Sequence, residues 1–61
     1  MKGLKKRRLE LKLTLRELSV KCGLSIQSLS NYETGQRFPN AAKLKKIAQA
    51  LDCSVDDLLK E

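Results

Sequence analysis

Apolar residues recur along this chain at intervals of three and four, the spacing of helices with one buried face, and show almost none of the alternation of strands. Leu4, Arg8 and Leu11 share one face of a first helix expected from near Lys2 to about Leu11. Thr14-Leu15-Arg16-Glu17 reads as a capping box, in which the Thr hydroxyl caps the third amide of the next helix and Glu17 reaches back. That second helix runs to about Cys22, where Gly23 supplies the positive φ of a sharp stop. Ser25 caps a third helix, which ends before Gly35. Pro39 and Asn40 open a fourth, with Leu44, Ile47, Ala48 and Leu51 on one face. Ser54-Val55-Asp56-Asp57 reads as a cap with acids in the first turn of a short fifth helix. The pattern predicts a compact all-α fold of five short helices, with no repeat, low-complexity stretch or linker.

Length bounds what such a fold can do. Sixty-one residues make one small domain, spanning residues 1–61, that buries only about 60% of its unfolded surface. Its two cysteines, Cys22 and Cys53, form no CxxC pair, and there is no histidine. Zinc-finger sites and imidazole acid–base chemistry are thereby excluded. The expectation is no metal, no cofactor and no enzymatic activity. No apolar run approaches the roughly 20 residues of a membrane span, and the start lacks the apolar stretch of a signal peptide. The chain reads as soluble and cytoplasmic, its cysteines reduced and serving as small core residues.

Charge adds a partner class. Thirteen Lys and Arg against seven Asp and Glu give a formal net charge of +6. Up to Leu51 the only carboxylates are Glu10, Glu17 and Glu33; the last ten residues hold four acids and only Lys60 as a cation. A basic body suggests a polyanion, although a solvated surface biased toward solubility has the same composition.

The spacing between residues 15 and 34 is more specific. Leu18 faces inward, the small Ser19 allows a second helix to cross closely, and Cys22-Gly23-Leu24 forms the turn. Leu29 and Tyr32 bring the third helix back onto the same core. This is a helix-turn-helix pattern, in which the outer face of the second of the two helices projects into the major groove of DNA. With Leu13-Thr14, Glu17-Leu18, Gly23-Leu24-Ser25, Leu29-Ser30, Tyr32-Glu33, Gly35, Pro39, Leu44, Ile47-Ala48 and Leu51, the chain resembles the lambda-repressor-like, or Xre-type, helix-turn-helix family. The resemblance covers roughly residues 4 to 59. It implies a helix-turn-helix at about 15–34 and supporting helices 4 and 5 at about 40–60. The function it implies is sequence-specific binding of double-stranded DNA by a small transcriptional regulator, a repressor, acting as a homodimer on paired half-sites.

Three positions depart from the family pattern. Leu15 stands where a phosphate-holding Gln is usual, so that contact falls to backbone amides at the helix N-terminus or is missing. Lys12 stands where a glycine often ends helix 1; a left-handed conformation there costs on the order of 1 kcal/mol. Ser19 replaces the usual alanine, and its hydroxyl is expected to bond the Leu15 carbonyl one turn back. Arg8, within an apolar stripe, calls for a carboxylate partner. Glu33 is the one carboxylate on the inner side of helix 3, and the family carries a buried Arg–Glu pair at these positions. The other outcome leaves Arg8 at solvent or on a phosphate.

Candidate functional residues follow from helix 3. Ile26, Gln27, Ser30 and Asn31, with Ser28 at the margin, form its outer face, where Gln and Asn can bond adenine N6 and N7 and Ile can pack on a thymine methyl. Thr14, Arg16, Lys21, Ser25, Thr34, Gln36, Arg37 and Lys43 are placed to contact phosphates. Phe38, in the loop after helix 3, and Val55, Leu58 and Leu59 of helix 5 form a candidate dimer surface, with packing inside the monomer as the other possibility. Two rivals to DNA binding are a protein-interaction or antitoxin-type subunit on the same fold, and a cationic membrane-surface peptide. The second needs one long basic helix, which the caps break into five pieces.

Overall fold

The computed structural model describes residues 1–60, in which five helices and no strand occur: α1 (Lys2–Glu10), α2 (Leu15–Cys22), α3 (Ile26–Thr34), α4 (Ala41–Ala50) and α5 (Val55–Leu59). Four of them start at a side chain that accepts from an amide three residues on: Thr14 from Glu17, Ser25 from Ser28, Asn40 from Lys43 and Ser54 from Asp57. The Thr14 and Ser54 boxes are reciprocal, with Glu17 accepting from the Thr14 amide at 2.9 Å and Asp57 from the Ser54 amide at 3.3 Å. Helices this short are marginal alone, so caps and packing set their limits.

The ends are equally specific. α2 stops at Gly23 (φ 73°), whose amide donates to the Ser19 carbonyl at 2.9 Å. α3 ends in a Schellman motif at Gly35 (φ 84°), with the Gln36 amide on the Asn31 carbonyl at 2.9 Å and the Gly35 amide on that of Tyr32 at 3.4 Å. The same motif closes α1 and α4 without glycine. Lys12 (φ 57°) and Asp52 (φ 51°) take the left-handed position, and the Leu13 and Cys53 amides reach back to the Arg8 and Ala48 carbonyls.

Every helix contributes to one core. Leu4, Leu18, Leu29, Ile47, Leu51 and Leu58 are fully buried, each burial stabilising by about 1.5–3 kcal/mol. Tyr32, Cys22, Ala48 and Met1 fill between them, and Leu13, Leu15, Leu24, Leu44, Cys53 and Val55 pack around the edge. α2 lies on α3 and α4, α1 bridges α3 and α5, and α4 meets α5. The α1–α5 approach is close enough that a Cβ on Gly3 would come within 2.7 Å of the Leu58 carbonyl oxygen. Arg7 binds α1 to the end of α4, its Nε donating to the Leu51 carbonyl at 2.9 Å and Nη2 to that of Asp52 at 3.2 Å. A cation on a helix C-terminus also offsets the negative end of its dipole.

Three expectations need correction. Leu11 is exposed rather than on the inner face, because α1 ends at Glu10 and the turn at Lys12 carries Leu13 into the core edge instead. The Ser19 hydroxyl donates to the Leu24 carbonyl at 2.5 Å, across the turn. A carbonyl inside the helix already has its amide, whereas one beyond the helix end does not. Leu58 is fully buried against the core and so is unavailable to a second protomer. Cys22 is buried and Cys53 half-buried, and both are free thiols.

Candidate nucleic-acid interface

The turn at Gly23 and the Ser25 cap set α3 across α2, with Leu29 and Tyr32 against Leu18 and Cys22 in the core. The opposite face of α3 is thereby turned outward. Ile26 and Gln27 are exposed; Ser28, Ser30 and Asn31 are half-buried. Gln27 Nε2 donates to Asn31 Oδ1 at 3.3 Å, linking two of the base-reading candidates one helical turn apart. The Ser25 hydroxyl accepts from the Ser28 amide at 3.1 Å and donates to the Ser28 hydroxyl at 2.9 Å, so both act first as the cap of α3. Thr34 donates its hydroxyl to the Ser30 carbonyl at 3.1 Å.

Glu33, the carboxylate of α3, is turned away from this face. Arg8 Nε donates to Glu33 Oε2 at 2.6 Å and Nη2 to Oε1 at 3.1 Å, while Nη1 donates to the Leu13 carbonyl at 2.8 Å. The two side chains are 10% and 7% exposed. Such a pair neutralises its own charge in place and leaves the outer face of α3 without a carboxylate.

All eight phosphate candidates are exposed. Arg16, Lys21, Arg37 and Lys43 make no ion pair among the described residues, where the pairs are Arg8–Glu33, Arg7–Glu10 and Lys60–Asp57. Thr14 and Ser25 carry their hydroxyls at the N-termini of α2 and α3, and the Lys43 amide donates to the Asn40 cap at 2.9 Å. Glu17 lies among these groups; hydrogen bonds from Thr14 hold its carboxyl below the usual range. Asp57 is lowered in the same way by Ser54, whereas burial pushes the Cys53 thiol up.

The pattern along the chain did not expose how the loop after α3 is held. The Asn31 carbonyl accepts from the amides of Gln36 at 2.9 Å and Arg37 at 3.3 Å, so the segment bearing these two phosphate candidates hangs from a base-reading candidate. Gly35 in the C′ position is the signal for it, since a Schellman motif places those amides on the carbonyl of the last turn. The candidate dimer residues separate. Phe38 is 64% exposed and Leu59 41%, Val55 packs against the core, and Leu58 is enclosed. Val20, on the exposed side of α2, is 81% exposed, which the sequence did not single out.

A model of the helix-turn-helix family matches residues 4–58. The chain is also similar to the cryptic phage CTXphi transcriptional repressor RstR of Vibrio cholerae serotype O1, with 38% identity over 45 residues. The match covers 74% of this chain and 40% of that protein, so the chain spans less than half of that relative's length. No solved structure matches the chain significantly.

Proposed function

The chain belongs to the lambda-repressor-like helix-turn-helix family, and from that premise we propose that it represses transcription by binding specific double-stranded DNA with α3 in the major groove. The observation that carries this reading is the outer face of α3, which offers amides, hydroxyls and Ile26 but no carboxylate, flanked by cations that make no ion pair among the described residues. Ile26, Gln27, Ser28, Ser30 and Asn31 meet base edges. Arg16, Lys21, Gln36, Arg37 and Lys43, with the capped helix ends at Thr14 and Ser25 and the hydroxyl of Thr34, meet phosphates. Phosphate contacts set position and base contacts set sequence. The site of action is the cytoplasm, with its DNA.

One such domain touches few base pairs, so two protomers act together. Phe38 and Leu59, the exposed members of the candidate surface, with Val55 at its edge, join them about a two-fold axis that sets the two α3 helices about 34–36 Å apart. Sedimentation at micromolar concentration, alone and on DNA, tests this arrangement; one protomer per selected duplex defeats it.

Two variants separate reading from holding, once binding sites have been selected from random duplexes. Gln27→Ala relaxes preference at one or two positions of each half-site by about 1–3 kcal/mol per position, with non-specific binding nearly unchanged. Arg37→Ala weakens binding to all sequences and lowers the salt slope by about one for each phosphate it no longer neutralises. Equal weakening of selected and random duplexes by Gln27→Ala would favour a protein-interaction role for α3.

A further inference from the structure

A glutamine or asparagine offers two donors and an oxygen with two lone pairs, so engaging one of these biases its base preference. In α3 this occurs without DNA. Gln27 Nε2 donates to Asn31 Oδ1, and neither side chain has another partner among the described residues. Asn31 then presents two free N–H groups beside an oxygen with one of its two lone pairs in use. Gln27 keeps its oxygen and one N–H, the pair of groups that a two-bond contact to adenine N6 and N7 needs. Asn31 is also the better anchored of the two, being half-buried with its carbonyl holding the Gln36 and Arg37 amides.

We infer that Gln27 and Asn31 form a single specificity determinant, in which Asn31 orients Gln27 on adenine and itself acts as a donor to guanine. The inference rests on the base-reading role of α3 proposed above. Guanine N7 and O6 both accept and can take both N–H groups, whereas adenine must donate from N6 to the one lone pair that Gln27 leaves on the Asn31 oxygen. Because the two amides restrain each other beforehand, less side-chain freedom is given up on binding. The half-site therefore carries an adenine under Gln27 and a guanine under Asn31, and the two preferences do not vary independently.

Site selection with the whole chain, followed by competition among single-base variants of the selected site, tests this. Preference ratios are the readout, so an overall fall in affinity does not confuse it. Asn31→Ala removes the acceptor. It should relax the guanine position by about five- to 150-fold and also loosen the adenine position by about two- to tenfold. Asn31→Asp keeps an oxygen for Gln27 but has no donors, so it should lose the guanine and retain the adenine. Thermal melts by circular dichroism establish that each variant is folded, as expected for changes that leave the Asn31 backbone bonds in place. If Asn31→Ala leaves the adenine preference intact, the coupling is refuted while base reading stands. An A·T pair selected under Asn31 refutes the donor assignment. If neither Gln27→Ala nor Asn31→Ala alters any preference, base reading by α3 fails and the inference with it.

Discussion

Replacing Arg8 by alanine removes three hydrogen bonds from a group that is 9% exposed and leaves Glu33 nearly enclosed without its cation. Breaking one side of a buried pair costs roughly 3–5 kcal/mol, mostly through the charge left behind. A folded chain of this length holds only about 3–9 kcal/mol in total. Each kcal/mol shifts the melting temperature by about 4–8 °C in so small a domain, so Arg8→Ala should lower it by tens of degrees. The α1–α3 packing and the end of α3 depend on this pair, and DNA binding should disappear with the fold. Urea and thermal unfolding followed at 222 nm measure the effect. The double replacement Arg8→Met with Glu33→Leu is the control, since an apolar pair of similar size leaves no uncompensated charge and should recover much of the stability. A melting temperature for Arg8→Ala within two degrees of the parent would refute the reasoning. So would a double variant less stable than either single one.

Further expectations concern the backbone and pH. Gly3→Ala pushes a Cβ onto the α5 carbonyls and should destabilise by about 1–3 kcal/mol; a variant as stable as the parent contradicts that close approach. Lys12→Gly relieves the left-handed conformation and should raise stability by about 0.5–1 kcal/mol after the glycine's greater unfolded entropy is set against it, whereas a lower melting temperature argues against strain at Lys12. The carboxyls of Glu17 and Asp57 titrate lower in the folded chain than in the unfolded one. Their contribution is therefore complete above the unfolded value and is lost as pH falls through the folded one. With no histidine, stability should be nearly level from about pH 6 to 8 and decline below the ordinary carboxylate range. Thr14→Ala with Ser54→Ala should flatten the acid limb, and an unchanged limb in that variant would remove the capping boxes as its cause.

Local chemistry was legible along the chain because it depends on a few neighbouring residues. Caps at Thr14, Ser25, Asn40 and Ser54 and stops at Gly23 and Gly35 need only a side chain within three positions or a missing Cβ. They set the helix boundaries, and the apolar spacing between them indicated one core and an outward face on α3. Which surface a residue finally occupies depends on groups distant in sequence. Helix 5 offered Val55, Leu58 and Leu59 as equivalent apolar positions; only the fit of α5 against Gly3 enclosed Leu58 and left Leu59 outside. Arg7 and Arg8 are adjacent cations in the sequence, yet one binds the end of α4 and the other Glu33. Ser19 took the Leu24 carbonyl because the turn brought an unpartnered acceptor to it. The chain by itself determined where helices start and stop, through bonds that close within a turn. The packing of those helices decided which side chains became core, ion pair or interface, because those choices depend on bonds spanning 25 to 45 residues of sequence.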